Sequence, residues 1–202
     1  MKILCIPKGP LTSNMYLACF DNGAFVIDPS VSPEKVPSDI TNVLAILITH
    51  GHYDHIKYVE EWHEKYPNAP IYMNPADQML LGDPGDNCSY MDGIAKVYDY
   101  SYEKAEGKIT VDGIDIEILS TPGHTMGSVC YMFREEGKQY LFTGDTIFAG
   151  SIGRTDMTGG NFALMTGSIE QVKKLDPDTM IFPGHGPEST VGDEIKYNPF
   201  FE

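Results

Sequence analysis

Residues 50–55, His50-Gly51-His52-Tyr53-Asp54-His55, place four potential metal ligands within six positions, directly after the apolar run 43–48 and Thr49. Imidazole and carboxylate donors together suit zinc, iron or manganese better than calcium or magnesium. Gly51 gives the backbone freedom to turn so that the side chains converge. One ion rarely takes all four groups. Asp54 and His55, being adjacent, point differently from the His50/His52 pair, so the pattern predicts two neighbouring ions. Each ion then needs ligands from elsewhere. Three positions offer them: His124 in Thr121-Pro122-Gly123-His124-Thr125, Asp145 in Thr143-Gly144-Asp145-Thr146, and His185 in Pro183-Gly184-His185-Gly186. Each follows a glycine at the end of a predicted strand, where loops on a rigid scaffold hold functional groups. His63, in a helical run with Glu60, Glu61 and Glu64, reads instead as a solvated surface residue.

The elements that must position these groups follow from periodicity. Residues 2–6, 15–20 and 24–27 read as strands, with Asp21-Asn22-Gly23 as a hairpin turn. Residues 43–48 read as a strand buried on both faces, 56–66 as a helix and 69–73 as a strand. Residues 117–120, 128–133 and 139–142 are three further strands, 161–175 a helix and 180–182 a short strand. Segment 82–108 has no clean period. It reads as an excursion over one sheet edge, with Tyr90, Tyr98, Tyr100 and Tyr102 as candidate contacts at the mouth of a site. Without repeats or linkers, residues 1–202 are expected to form one domain, sheet packed on sheet with helices outside.

Composition limits the function. Fourteen basic against 29 acidic residues give a net charge of -15, which disfavours nucleic acid and anionic membrane as partners. With 42% hydrophobic residues the chain needs no metal merely to fold, so a bound ion would serve function. No signal peptide or spanning segment is evident, and Cys5, Cys19, Cys88 and Cys130 form no C-x-x-C pair. They are expected to be reduced, mostly buried thiols in a cytoplasmic protein.

The H-x-H-x-D-H pattern with its downstream His, Gly-Asp and Gly-His resembles the metallo-β-lactamase superfamily. Residues 121–128 (TPGHTMGS) and 143–154 (TGDTIFAGSIGR) resemble in particular its glyoxalase II-like hydrolases. The resemblance runs from Asp28 to His185. It implies an α/β fold, a four-layer αββα sandwich, with two divalent metal ions, zinc first among zinc, iron and manganese. It puts His50, His52 and His124 on one ion, Asp54, His55 and His185 on the other, and Asp145 between them. Asp28 is implied to support the metal loop from behind. Two cations about 3.5–4 Å apart lower the pKa of a shared water from about 15.7 toward neutrality, which gives a nucleophile for an ester or thioester carbonyl. Asp54 is the natural acceptor of its proton.

The implied substrate is a small-molecule thioester, the glutathione thioester of a 2-hydroxy acid, with Arg154 contacting the thiol carrier. The sequence departs from that pattern in three places. Only 17 residues follow His185, implying a short form without the C-terminal helical domain. Asp156 replaces an aromatic residue, and Phe182 stands where a substrate-binding tyrosine is expected. A mononuclear-iron persulfide dioxygenase and a lactonase or β-lactamase on the same scaffold are the alternatives. The sequence does not set the oligomeric state.

Overall fold

The computed structural model describes residues 1–7 and 9–202. They divide into two compact units, Met1–Lys104 and Ala105–Glu202.

In the first unit the chain runs through β1 (Lys2–Ile6), β2 (Met15–Phe20), β3 (Gly23–Ile27), β4 (Val43–Leu47), α1 (Tyr53–Ile56), α2 (Val59–Lys65), β5 (Ile71–Met73), α3 (Gln78–Gly82) and β6 (Glu103–Lys104). The strands form one six-stranded sheet in the order β1-β2-β3-β4-β5-β6. Pairing is antiparallel from β1 to β3 and parallel from β3 to β6. The hairpin expected at Asp21-Asn22 joins β2 to β3, with Phe20 opposite Gly23. All five residues of β4 are buried, as its unbroken apolar run requires. Helix α2 seats Trp62 in a core with Ile46, Ile48, Ile56, Ile71 and Met73. The indole N–H donates to the Val31 carbonyl at 2.8 Å, so the large ring is buried without orphaning its polar atom.

The helix expected over 56–66 is in fact two. It starts earlier, inside the ligand cluster, and breaks at Tyr58, whose backbone sits at φ -112°, ψ 18° and donates its N–H to the Pro29 carbonyl. Segment 82–108 is also better ordered than its sequence suggests. It holds a 3₁₀ turn at Ser89–Asp92, Asn87 is fully buried, and Tyr98 joins the core with Tyr100 and Tyr102 packed against it. Of the four tyrosines only Tyr90 is exposed, at 74%.

In the second unit follow β7 (Lys108–Val111), β8 (Ile114–Ser120), β9 (Val129–Glu135), β10 (Lys138–Gly144), β11 (Ile147–Phe148), β12 (Ser151–Ile152), α4 (Phe162–Val172), β13 (Met180–Pro183), β14 (Ser189–Thr190) and α5 (Val191–Tyr197). A six-stranded sheet runs β14-β13-β10-β9-β8-β7, parallel only between β10 and β13, while β11 and β12 make a separate ribbon. Asn161 caps α4 by accepting from the Leu164 N–H. Met165, Ile169 and Val172, one helical stripe, pack with Leu119, Cys130, Met132, Leu141 and Ile181.

Two expectations are corrected. Cys130 alone among the four thiols is buried; Cys19 and Cys88 are half-buried, and Cys5 lies exposed on the edge strand β1, which has no outer neighbour to cover it. His63 is half-buried rather than solvated, with its Nδ1 covered, because it lines a groove with Pro67, Pro70, Ile71 and Tyr102. Among the described residues no helix is long and apolar enough to cross a membrane.

Candidate metal centre

The first unit carries His50, His52, Asp54 and His55, all buried. The chain leaves β4, turns at Gly51 and enters α1 with His52 as its N-cap residue, so Asp54 and His55 lie in the first helical turn. A helix start leaves backbone N–H groups without internal partners, and here neighbouring segments satisfy them. The Tyr53 N–H donates to the Asn87 carbonyl at 2.7 Å, and the Gly51 N–H donates to Asp77 Oδ2 at 2.9 Å. Ser13 Oγ donates to the Asp54 carbonyl at 2.7 Å. The ligand loop is therefore held from three sides.

Asp28, at the end of β3 with φ at +53°, sets the histidine tautomers. Its Oδ1 accepts from the Thr49 N–H at 2.8 Å, and its Oδ2 accepts from Thr49 Oγ1 at 2.7 Å and from His55 Nδ1 at 2.9 Å. A carboxylate only accepts, so His55 carries its proton on Nδ1 and offers the Nε2 lone pair. Thr49 Oγ1, having spent its single proton on Asp28, accepts from His50 Nδ1 at 3.0 Å. His50 therefore also offers Nε2. The potential ligand atoms of Asp28, His50 and His55 all lie within 4.8 Å of one another.

The second unit carries His124, Asp145 and His185. His124 Nδ1 donates to the Arg154 carbonyl at 2.8 Å, which again makes Nε2 the atom the ring could offer a cation. Asp145 Oδ2 stands 3.5 Å from His124 Nε2 and 3.6 Å from His185 Nε2. Gly153 is essential to this packing: a Cβ there would lie 1.8 Å from the Asp145 carbonyl oxygen and 3.2 Å from His124 Nδ1. Gly123, at φ +145°, leaves no room either, since a Cβ would meet the Met165 backbone at 2.5 Å. Behind the ligands the hydroxyls of Thr121 and Thr146 meet at 3.0 Å and tie the His124 turn to the Asp145 turn.

These separations fit ions rather than hydrogen bonds. Ligands about 2.0–2.1 Å from a tetrahedral ion stand about 3.4 Å apart. The Asp145–His124, Asp145–His185 and Asp54–His55 pairs, at 3.5, 3.6 and 3.6 Å, match that edge and exceed hydrogen-bond range. The residues present fit bound cations.

Arg154, expected to contact the thiol carrier, and Phe182, standing where a substrate-binding tyrosine is expected, each have partners within this unit. The Arg154 guanidinium makes two bonds to Asp156, at 2.7 and 2.8 Å, and holds that carboxyl down at about 2. Phe182 is a core residue, stacked on Phe142 and Tyr140. Sequence reasoning missed Asp77, Asn87 and the Thr121–Thr146 pair. Nothing local distinguishes Asp77 from the chain's other carboxylates; only the fold brings it under Gly51.

Residues 9–185 match the metallo-beta-lactamase superfamily. The chain is 35% identical to the probable metallo-hydrolase YqgX of Bacillus subtilis, over 99% of this chain and 97% of that protein. It is 31% identical to the hydroxyacylglutathione hydrolase GloC of Haemophilus influenzae, over 99% and 98%. Among solved structures, BLEG-1, a B3 metallo-beta-lactamase, superposes with a TM-score of 0.90 at 33% identity, covering 99% of both chains. TTHA1623, solved in a di-iron-bound form, gives 0.86 at 33% identity over 98% and 99%. The mixed α/β architecture with two sheets is the fold of these structures. On sequence and fold together, this chain belongs to the metallo-beta-lactamase superfamily.

Proposed function

We propose that the two ligand sets close on a pair of divalent cations and that the protein hydrolyses a thioester of a 2-hydroxy acid, with a hydroxyacylglutathione-like compound as substrate. The observation that carries this reading is Asp145 Oδ2, set at near-equal distance from His124 Nε2 and His185 Nε2. A carboxylate so placed would help hold two cations, one with His50, His52 and His124 and the other with Asp54, His55 and His185. Zinc fits these donors, and so does iron, the metal of the di-iron-bound form of TTHA1623.

A pair of cations held by these residues would supply an activated water near neutral pH and a Lewis acid for the scissile carbonyl. The chain supplies the rest. Asp54 accepts the water's proton, and its position is fixed through the Ser13–Asp54 hydrogen bond. Asp28, Thr49 and the Arg154 carbonyl hold three imidazoles in the ligating tautomer. Arg154 reaches a carboxylate of the thiol carrier by exchanging Asp156, an exposed and therefore weakly held partner. Identity to GloC supports the thioester class.

The test is hydrolysis of S-lactoylglutathione and of lactoyl thioesters on other carriers, alongside elemental analysis of purified protein. Two metals per chain with thioester turnover is the expected result. One iron per chain, with oxygen uptake on glutathione persulfide, would overturn the reading in favour of a dioxygenase.

A further inference from the structure

The ribbon β11–β12 is linked, by contact or along the chain, to each candidate ligand of the second unit. It follows directly from Asp145; Phe148 sets its ring edge-on to His185, with centroids 5.9 Å apart; and the strand leaving it passes Gly153 to the Arg154 carbonyl that receives the His124 proton. A two-stranded ribbon with two residue pairs is not stable alone. Something must hold its tip, and the structure shows what does.

Glu194 on α5 is buried, 3% exposed, and no cation is paired with it by an ion pair among the described residues. Its Oε2 accepts from the Gly150 N–H at the ribbon turn, at 2.9 Å, and from Asn198 Nδ2 at 2.7 Å; its Oε1 accepts from Ser189 Oγ. Asn198 Nδ2 also donates to the Ser151 carbonyl at 2.9 Å. The two sides of the turn, Gly150 N–H and Ser151 C=O, are thus gripped by one carboxylate–amide pair. Burying a carboxylate is costly unless its oxygens are satisfied. Here Gly150 at the ribbon turn supplies one of the three donors and Asn198, which supplies another, also grips Ser151, so the pair favours this ribbon position.

We propose that Glu194 and Asn198 are positioning residues for the metal centre: they fix the ribbon, and through it His124, Asp145 and His185. The inference rests on the reading of those three as ligands. Glu194→Ala is expected to weaken binding of added zinc about tenfold, the low end for groups behind metal ligands. Glu194→Gln restores binding to within about twofold, because its amide oxygen can face Gly150 and Asn198 while its NH₂ meets the Ser189 hydroxyl. Val191→Ala, a cavity in the core beneath α5, controls for general loosening. At an equal loss of Tm it should leave zinc affinity within about twofold of wild type.

Two readouts do not depend on activity: amide exchange at Gly150 and the Nδ1–H resonance of His124, both measured by NMR on metal-free and zinc-loaded protein. Faster Gly150 exchange and a lost His124 resonance in Glu194→Ala, but not in Val191→Ala, support the brace. Should Glu194→Ala fail to fold, Asn198→Ser removes the bond to Ser151 and serves in its place. Equal weakening by Val191→Ala, or unchanged zinc affinity in Glu194→Ala, overturns the proposal. If wild-type protein takes up no zinc, iron or manganese, the proposed function fails instead, and the metal-free NMR comparison still decides whether the brace exists.

Discussion

Asp28 Oδ2 accepts the His55 Nδ1 proton at 2.9 Å while also taking the Thr49 hydroxyl at 2.7 Å, and Thr49 in turn meets His50 Nδ1 at 3.0 Å. One carboxylate therefore orients two imidazoles that the proposed assignment gives to different ions. Asp28→Ala should weaken both binding steps of a metal titration, by roughly 10–100-fold for the ion held by His55. Thr49→Val removes the hydroxyl that links Asp28 to His50 but keeps the backbone N–H that holds Asp28 Oδ1, so it should weaken chiefly the other step. Equal losses at both steps in Thr49→Val would show that the relay does not carry the coupling.

Gly153 sets a steric requirement that no side chain meets. A methyl group there would sit 1.8 Å from the Asp145 carbonyl oxygen, which is backbone and cannot rotate away. Gly153→Ala should cost on the order of 3 kcal/mol or more, as overpacking against fixed backbone does. Metal content should fall with it, because the same shift moves the Arg154 carbonyl from His124. A variant with wild-type Tm and full metal content would mean that this close approach is not obligatory.

The candidate ligands were legible in the sequence because metal chemistry restricts residue type: few sequences crowd three histidines and an aspartate into six positions for any other purpose. The strands were legible where burial imposes a continuous or alternating apolar pattern, as in β4 and β9. What escaped was held by groups without a distinctive type. Asp77 under Gly51, the Asn87 carbonyl on Tyr53 and Glu194 under Gly150 each act through a hydrogen bond formed by long-range folding. The internal order of the excursion 82–108 escaped for the same reason. Its order comes from Asn87, whose Nδ2 donates to the Lys96 carbonyl and whose Oδ1 accepts from the Ser89 N–H, and this leaves no periodic trace.

The Arg154–Asp156 pair makes a prediction about specificity. Asp156 is held at about 2 chiefly by its hydrogen bonds from Arg154, so it stays charged throughout the working range. A depressed carboxyl contributes above its unfolded pKa near 3.8 and loses that contribution only as pH falls through about 2, so the pair does not titrate between pH 5 and 8. Asp156→Asn frees the guanidinium for a substrate carboxylate. KM for an anionic thiol carrier should drop about two- to fivefold, the scale of one exposed charge contact, with kcat unchanged. An unchanged KM for anionic and neutral carriers alike would remove Arg154 from substrate recognition.

Alkaline stability should carry the signature of Cys130. Burial pushes this thiol up to about 11, although a hydrogen bond with Thr121 pulls the other way. The unfolded chain, with an ordinary thiol, releases its proton from about pH 9, while the native state still holds it. Stability from this group is therefore complete below that range and declines between about pH 9 and 11, by at most about 1.4 kcal/mol per pH unit. Tyr98 and Tyr100, also raised by burial, add to the decline only from about pH 10, where an unfolded tyrosine begins to ionise. Cys19 is raised as well, but it is half-buried and its contribution is screened. Denaturant unfolding of wild type and Cys130→Ala between pH 7 and 10 separates these contributions. The variant should start lower, by the cost of a small cavity, and then lose less stability per pH unit than wild type between pH 9 and 10. Parallel curves over that interval would mean that the native state already accommodates the Cys130 thiolate, contrary to its full burial among Leu119, Met132 and Leu141.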